Sequence, residues 1–454
     1  MDTTTRTVEK TPPRSGEERI APRRALLLTA ASAVLPGLAH LHAGRRSAGR
    51  ILLGAHICAL ATAVFAIIAF RGDLMQLAVR PRLLIALVVV SVLAAVAWPL
   101  LLVWSYSCVR PVWNSRKTRV TAAALVGLLG VVTALPPLAV ARYGYLQHDL
   151  ITSVFSSGPQ ARSATGQGAA PAGTSLPPRL NVLLLGGDAD VNRPGVRTDS
   201  MTLASVDTKT GGTVLISLPR NLQHVPVWNG HRRVRFSGKR LLNEVYEFGK
   251  AHPRLTGAPN PGAELLKRTY GHIVGLPVHY YAMVDMRSFR QIVDAVHGVR
   301  LCVRQPIPVP REQVAGGVIE AGCQRLTGRQ ALWYGRSRTA SSDYARMARQ
   351  KCLMWALVHQ ADPVTVLRSF QRLTQVFKYS VNTDIPVRVL PSLLRLPPLI
   401  RQAGLHSVQF TPPLINTWRP DYRNIRTITS QALRSPVVVE KNLDQTCTEH
   451  ADRR

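Results

Sequence analysis

The chain has 454 residues, enough for two or three domains, and a formal net charge of +32 from 57 basic against 25 acidic side chains. Such an excess calls for an anionic partner: nucleic acid, lipid headgroups or a phosphorylated substrate. Genomic DNA fits poorly, because the apolar residues crowd into an N-terminal membrane-like region and no helix-turn-helix or zinc pattern comes after it.

Residues 1–50 form a basic tail holding Arg6, Lys10, Arg14, Arg19, Arg23, Arg24, Arg45, Arg46 and Arg50. Within it, Ala25–His42 is apolar but carries Pro36, Gly37, His40 and His42, the pattern of an interfacial or half-inserted helix. Three apolar runs come next, Ile51–Phe70, Leu83–Cys108 and Val120–Val140. Each is long enough to cross roughly 30 Å of hydrocarbon as a helix. Successive spans argue against a cleaved signal peptide. Arg110, Arg116, Lys117 and Arg119 lie between the second and third runs, whereas Asp73 partly offsets Arg71, Arg80 and Arg82 between the first two. By the positive-inside rule the N-terminus is cytoplasmic and, with three spans over 51–142, everything after Arg142 lies outside.

Residues 143–179 read as a tether, since Ser153–Pro178 is rich in Ser, Gly, Ala and Pro. A folded domain is expected over 180–440 and a polar tail over 441–454. Cys302, Cys323, Cys352 and Cys447 fall in this outer part, where disulfides persist. Cys302–Cys323 is the expected pair. Metal binding is the rival reading, without a C-x-x-C or nearby His spacing to support it.

Asn181–Leu185 is a short apolar run ended by Gly186-Gly187, then Asp188, and reads as a buried strand. Arg197-Thr198-Asp199-Ser200 precedes a second strand, Met201–Val206, and a third, Thr213–Leu218, ends in Pro219-Arg220. Helical patterns occur at 241–249, 263–273, 289–296 and 327–334, and a late strand at 408–411. Strands alternating with helices predict an α/β domain, a central mixed sheet flanked by helices, behind an all-α transmembrane segment. Ligands bind beyond the carboxyl ends of strands in such sheets, where Asp188 and Arg220 fall. Two carboxylates there could hold Mg²⁺, a hard cation often shared with phosphates. Taken singly, Asp188 is equally a turn residue and Asp199 a helix cap or partner of Arg197.

Arg336 and Arg338 stand two apart, so an extended backbone would aim them the same way. On a helix, Asp343, Arg346 and Gln350 share one face. That face is a solvated basic surface or a polar site, and arginine forks match phosphate oxygens.

The segments NVLLLGGDAD, RTDSMTLASVD, TVLISLPRNL, LLNEVYEFG, FRQIVDAVHGVRLCV, GCQRLTGRQALWYGRSR and SDYARMARQ, in this order over residues 180–360, resemble the LytR-CpsA-Psr family of cell-wall transferases. The resemblance implies an LCP-like αβα domain with a long apolar cleft for a polyprenyl chain and a polar mouth for its pyrophosphate. It implies that Asp188 and Asp199 are associated with Mg²⁺ (or Mn²⁺) and that Arg197 and Arg220 lie beside the phosphates. Arg336, Arg338, Arg346 and Gln350 match the group gripping the pyrophosphate. Three positions depart from the family's pattern: Asn221 replaces an Asp, Leu241 a Lys, and Lys351 a Gln. They put rate and substrate preference in doubt.

The expected activity is transfer of a glycopolymer from a polyprenyl-pyrophosphate carrier onto peptidoglycan, by attack of a sugar hydroxyl on phosphorus. Asp199, Arg197 and Arg220 are the expected catalytic residues. Expected partners are the lipid-linked polymer, the peptidoglycan acceptor and membrane lipid, but no nucleic acid. A glycoside hydrolase would also pair carboxylates but needs no clustered arginines. A non-catalytic, membrane-anchored wall-binding or regulatory protein needs only a basic outer surface.

Overall fold

Long runs of apolar side chains leave the backbone no polar environment, so its hydrogen bonds close within one helix. In the computed structural model of the chain the three runs do so. The structure describes residues 22–69, 79–109, 116–154, 176–188, 197–236, 241–339, 342–360, 381–434, 441–442 and 447. Contacts divide the chain into two compact units, one of N-terminal helices within Met1–Leu74 and Ile85–Tyr145, the other of Met75–Leu84 with Leu146–Arg454.

The first unit contains α1 (Pro22–Val34), α2 (Leu38–His42), α3 (Arg46–Ala69) and most of α4 (Pro81–Val109) and α5 (Arg116–Val154). Three of these, α3, α4 and α5, are long and apolar enough to cross a membrane. At 1.5 Å per residue even α3 is about 36 Å long. The apolar stretch 25–42 is not one helix. It breaks at Gly37, where φ is 109° and an added Cβ would lie 2.5 Å from the Gly49 carbonyl oxygen. The remaining α1, about 20 Å long, is too short to span. The expected tether from residue 143 also needs correction, because α5 runs on to Val154. No proline occurs in α5 beyond Pro137, and Leu146, Leu150 and Ile151 maintain the helical repeat. Residues 155–175 of that tether lie outside the described residues, as do residues 1–21 of the basic tail and 361–380.

The second unit is built on a seven-stranded mixed sheet. Its strands are β1 (Arg179–Asp188), β2 (Arg197–Asp207), β3 (Thr213–Ser217), β4 (Tyr280–Asp285), β9 (Val381–Thr383), β10 (Leu405–Gln409) and β11 (Lys441–Asn442). Their order is β11-β10-β3-β2-β1-β4-β9. The pairs β1/β4 and β3/β10 are parallel; the other neighbours are antiparallel. Short hairpin pairs β5 (Val299–Val303) with β8 (Gly322–Leu326), and β6 (Ile307–Pro308) with β7 (Val318–Ile319), lie outside this sheet. Arg197–Ser200 thus belong to β2 instead of preceding it, and the late strand begins at Leu405.

Side-chain alternation sorts the sheet's residues between two cores. Leu183, Leu185, Met201, Leu203, Val214 and Ile216 pack with α6 (Val245–Ala251), α7 (Pro261–Val274) and α12 (Tyr422–Arg434). On the other face Leu215 packs with α8 (Met286–Ala295), α9 (Gly328–Arg336) and α10 (Asp343–Gln360), and α11 (Leu396–Ala403) covers part of the same side. Helices therefore flank both faces of a mixed sheet. The Tyr270 hydroxyl fixes α7 beneath the sheet, donating to the Ile216 carbonyl at 2.8 Å and accepting the Leu218 amide at 3.0 Å. At the edge, Lys267 pairs with Asp384 at 2.6 Å and Glu264 at 2.8 Å, while Asp384 accepts the Tyr281 amide at 2.6 Å. Burial pulls the Lys267 pKa down, but these two carboxylates outweigh it and leave it above its ordinary value.

Cys302 and Cys323 face each other across β5 and β8 and are bonded. A second bond joins Cys352 on α10 to Cys447, closing a separation of 95 residues. Spacing alone suggests no partner for either. Loop-closure entropy of that size corresponds to about 4–5 kcal/mol. Cys58 and Cys108 are free.

Candidate functional site

The site forms where the sheet frays. Between Gly186 and Gly187 the β1/β2 register shifts by a bulge, and Asp188 ends opposite Arg197. A bulge bends its strand and re-aims the residues beyond it. Gly186 allows the two strands to close, since an added Cβ would sit 3.1 Å from the Ser200 Cβ. Asp188 and Arg197 are therefore paired backbone neighbours at this strand end. Their side chains lie outside the described residues.

Two other elements, the turn after β3 and α10, converge on Asp199. Arg220, in the turn after β3, donates from Nη1 to Asp199 Oδ1 at 2.7 Å. Its Nε lies 3.5 Å from Asp343 Oδ1, at the start of α10. One turn along, Arg346 donates from Nη2 to Asp343 Oδ2 at 3.1 Å and to the Asp199 carbonyl at 3.2 Å. Arg346 is 2% exposed. Burial lowers its pKa and Arg220 adds to this, against the opposing pull of Asp343 and Asp199. Gln350, a further turn along, donates to the Gly335 carbonyl at 3.0 Å and so ties α10 to α9.

Arg336 and Arg338 do not lie on one extended segment as expected. The Thr327–Gln330 capping box starts α9, which continues through Arg336. Arg336 lines an apolar-walled cleft; Arg338 comes after it in non-helical chain, exposed but near enough to depress the Arg346 pKa. Arg349 donates to the Ser337 carbonyl, which fixes the turn between them.

The cleft lies behind this cluster and, counting its open mouth, spans about 1050 Å³. Its walls are apolar, with Leu184 and Ala282 opposite each other on β1 and β4, Val284, Phe289, and Leu353 and Leu357 from α10. Asp199, Ser200, Arg336, Arg346 and Gln350 line the polar end. A smaller pocket shares Asp199, Ser200, Arg346 and Gln350, and adds Thr202, Ser217 and Arg220. Leu184 reaches the cleft because its neighbours Leu183 and Leu185 take the opposite core.

The geometry thus brings Asp199, Arg220, Arg336, Arg346 and Gln350 together. Asp343 completes the set as a carboxylate shared by two arginines, a role that its three-residue spacing from Arg346 hints at without specifying. Arg220, Arg336, Arg338 and Arg346 against Asp199 and Asp343 leave two positive charges in excess, which suits a multiply charged phosphate. Among the described residues no group of three or more His, Cys, Asp or Glu side chains could hold a metal ion. Asp199, whose Oδ1 alone is taken by Arg220, offers a hard oxygen donor of the kind Mg²⁺ takes.

The LytR_cpsA_psr family model matches residues 164–427, more than half of the chain. The chain belongs to this family. Among LytR_cpsA_psr relatives, it is 32% identical to the probable cell wall biosynthesis protein LcpB of Corynebacterium glutamicum, over 43% of this chain and 45% of LcpB. It is 27% identical to the polyisoprenyl-teichoic acid–peptidoglycan teichoic acid transferase TagU of Oceanobacillus iheyensis, over 47% of this chain and 62% of TagU. The chain thus spans from under half to under two thirds of these relatives' length. Its fold is also similar to the crystal structure of B. subtilis TagV, with 19% identity, 56% of this chain and 96% of TagV covered, and a TM-score of 0.44.

Proposed function

We propose that this protein moves a phosphate-linked glycopolymer from a polyprenyl-pyrophosphate carrier onto peptidoglycan, outside the cytoplasm. The observation that carries the reading is the apolar cleft opening directly onto the arginine cluster at Asp199. A ligand for both must be a long hydrocarbon ending in anionic oxygens. The naming of TagU for a polyisoprenyl-linked donor and a peptidoglycan acceptor supports the same chemistry.

In this mechanism the lipid chain lies along Leu184, Ala282 and Leu353, and Arg346, Arg336 and Gln350 bind the pyrophosphate, with Arg338 beside the mouth. A peptidoglycan hydroxyl oxygen attacks the phosphorus that bears the glycopolymer. The bond from that phosphorus to the bridging oxygen breaks, polyprenyl phosphate leaves with the electron pair, and the hydroxyl proton is released. Arg220, steered by Asp199 and Asp343, faces the charge that grows on the phosphoryl oxygens. Asp199 and Asp343 are both engaged by arginines, so the proton is assigned to neither. Mg²⁺ or Mn²⁺, held by Asp199 with Asp188, would supply further charge neutralisation.

The full chain in detergent, given a polyprenyl-pyrophosphate oligosaccharide, peptidoglycan fragments and Mg²⁺, should form a phosphodiester-linked product by mass spectrometry. Chelation should abolish it. Binding of both substrates with no product under any donor would instead favour a non-catalytic wall-binding protein. One observation points that way: Asn221, at a position the family usually fills with Asp, has its Oδ1 buried without a hydrogen-bond partner among the described residues.

Three helices long and apolar enough to span, together with an arginine-rich N-terminal tail, support a catalytic unit on the outer side of the cell membrane. A phosphatase reporter fused after Arg454 should be active and a cytoplasm-dependent reporter inactive. The reverse pattern would overturn this topology and, with it, the peptidoglycan acceptor.

A further inference from the structure

A second set of arginines lies outside the site and takes no part in the mechanism. Arg232, Arg233 and Arg235 are exposed on the turn after Trp228, Arg419 is exposed just before α12, and Arg423 and Arg426 are exposed in its first turns. Among the described residues none of these six forms an ion pair. The two segments share one surface. Burial lowers the His272 pKa and both Arg426 and Arg233 add to this, while burial raises the Tyr422 pKa against the opposing pull of Arg233. Arg426 donates to the His272 carbonyl at 3.1 Å. One carboxylate stands among them, Asp421, whose Oδ1 accepts the Arg423 and Asn424 amides at 2.8 and 3.0 Å.

Aromatic rings interleave with the charges. The Trp228 and His272 rings stack with centroids 4.6 Å apart and planes 5° from parallel. Trp418 is 70% exposed. Its backbone is held firmly, with Asn416 Oδ1 accepting the Trp418 and Arg419 amides at 2.9 and 3.2 Å. A large ring kept in water by a braced turn offers an apolar face to a ligand. The rest of the ledge is guanidinium. Flat rings among unneutralised arginines match a polymer that alternates sugar faces with anionic groups.

The position matters as much as the chemistry. The Gln223 amide donates to the Thr417 carbonyl at 3.0 Å, and the Gln223 carbonyl accepts the Tyr422 hydroxyl at 2.7 Å. Gln223 is three residues beyond Arg220, so their Cα atoms are at most about 11 Å apart. The ledge therefore begins at the edge of the polar pocket.

We infer that this ledge binds the glycan portion of the substrate and that the glycan is an acidic polymer, with phosphate or carboxylate groups along its length. The inference rests on the transfer reading and narrows its substrate class. Ledge arginines would hold the chain's charges while Trp418 stacks on a sugar ring, which keeps the polymer extended away from the reacting phosphorus.

The test uses the full chain in discs of uncharged phosphatidylcholine, probed with a sugar-bearing polyol-phosphate polymer and with neutral dextran of equal length. Wild type should bind the acidic polymer at least about tenfold more tightly than dextran, with affinity falling as salt rises. The triple variant Arg233→Gln/Arg419→Gln/Arg423→Gln should lose about tenfold or more at low salt, and the loss should shrink at high salt. Trp418→Ala should weaken binding at every salt concentration. Unchanged thermal unfolding in both variants excludes misfolding, and none of these four side chains makes a hydrogen bond among the described residues. Wild-type affinity in the triple variant would overturn the inference. So would a variant that keeps polymer binding but loses binding to phosphatidylglycerol vesicles, because the ledge would then be a lipid surface. The two proposals fail separately. A donor with a short uncharged sugar should be turned over equally by wild type and triple variant. If wild type does not turn it over, the transfer reading fails while polymer affinity still judges the ledge.

Discussion

Replacing Arg346 by Ala should lower kcat/KM for transfer by about 10²–10³-fold, the loss expected when one fixed donor aimed at developing charge is removed. The reason lies in how Arg346 is held. Its guanidinium is almost fully buried, yet one nitrogen reaches both Asp343 and the Asp199 carbonyl, so its fork cannot swing away. A preorganised cation of this kind does not have to reorganise when the phosphoryl charge grows. Arg346→Lys separates this role from simple charge. It keeps a cation but not the bidentate fork, so most of the loss should remain. Steady-state kinetics with saturating acceptor would check this, alongside a melting curve to show that both variants fold. Lysine restoring wild-type turnover would mean that only net charge matters here, and the assigned geometry would be wrong. Asp199→Ala should fall by a similar factor, because it frees Arg220 from its 2.7 Å contact as well as removing a carboxylate.

Much of this site was legible in the sequence because its residues obey local rules. Asp343, Arg346 and Gln350 had to share a face once the segment was helical, and α10 places them so. Arg220 was marked by its place after a strand. Three things were not legible. Arg336 and Arg338 separate because a capping box 6–9 residues upstream winds the helix through Arg336, and this side chain–backbone exchange overrides the two-residue spacing. The bulge at Gly186-Gly187, which sets where Asp188 meets Arg197, depends on pairing across strands. The Cys352–Cys447 bond joins residues too far apart in sequence for spacing to suggest it. The ledge around Trp418 is a further case, since its arginines come from two segments that only the fold brings together.

Filling the cleft should discriminate between donors by the length of their lipid. Ala282 lies on β4 opposite Leu184, with its side chain on the cleft wall. Ala282→Phe keeps a residue that strands accommodate well and places a ring in the space assigned to hydrocarbon. Displacing one five-carbon isoprene unit would forfeit roughly 3–4 kcal/mol of apolar burial at about 0.8 kcal/mol per carbon. That corresponds to a few hundredfold in affinity, and relaxation of the long chain within the cleft should still leave tenfold or more. The KM for a long polyprenyl donor should therefore rise by at least about tenfold, while a donor with a ten-carbon lipid should change less than about threefold. Competition by free polyprenyl phosphate should weaken in parallel with the long donor. Equal losses for both donors would indicate packing damage in the sheet. No loss for either would show that the hydrocarbon lies elsewhere, and the cleft would then have to be explained without a lipid. The length dependence is the informative part: only a ligand that runs past Ala282 towards Leu353 and Leu357 can respond to the obstruction in proportion to the carbons it extends beyond the mouth.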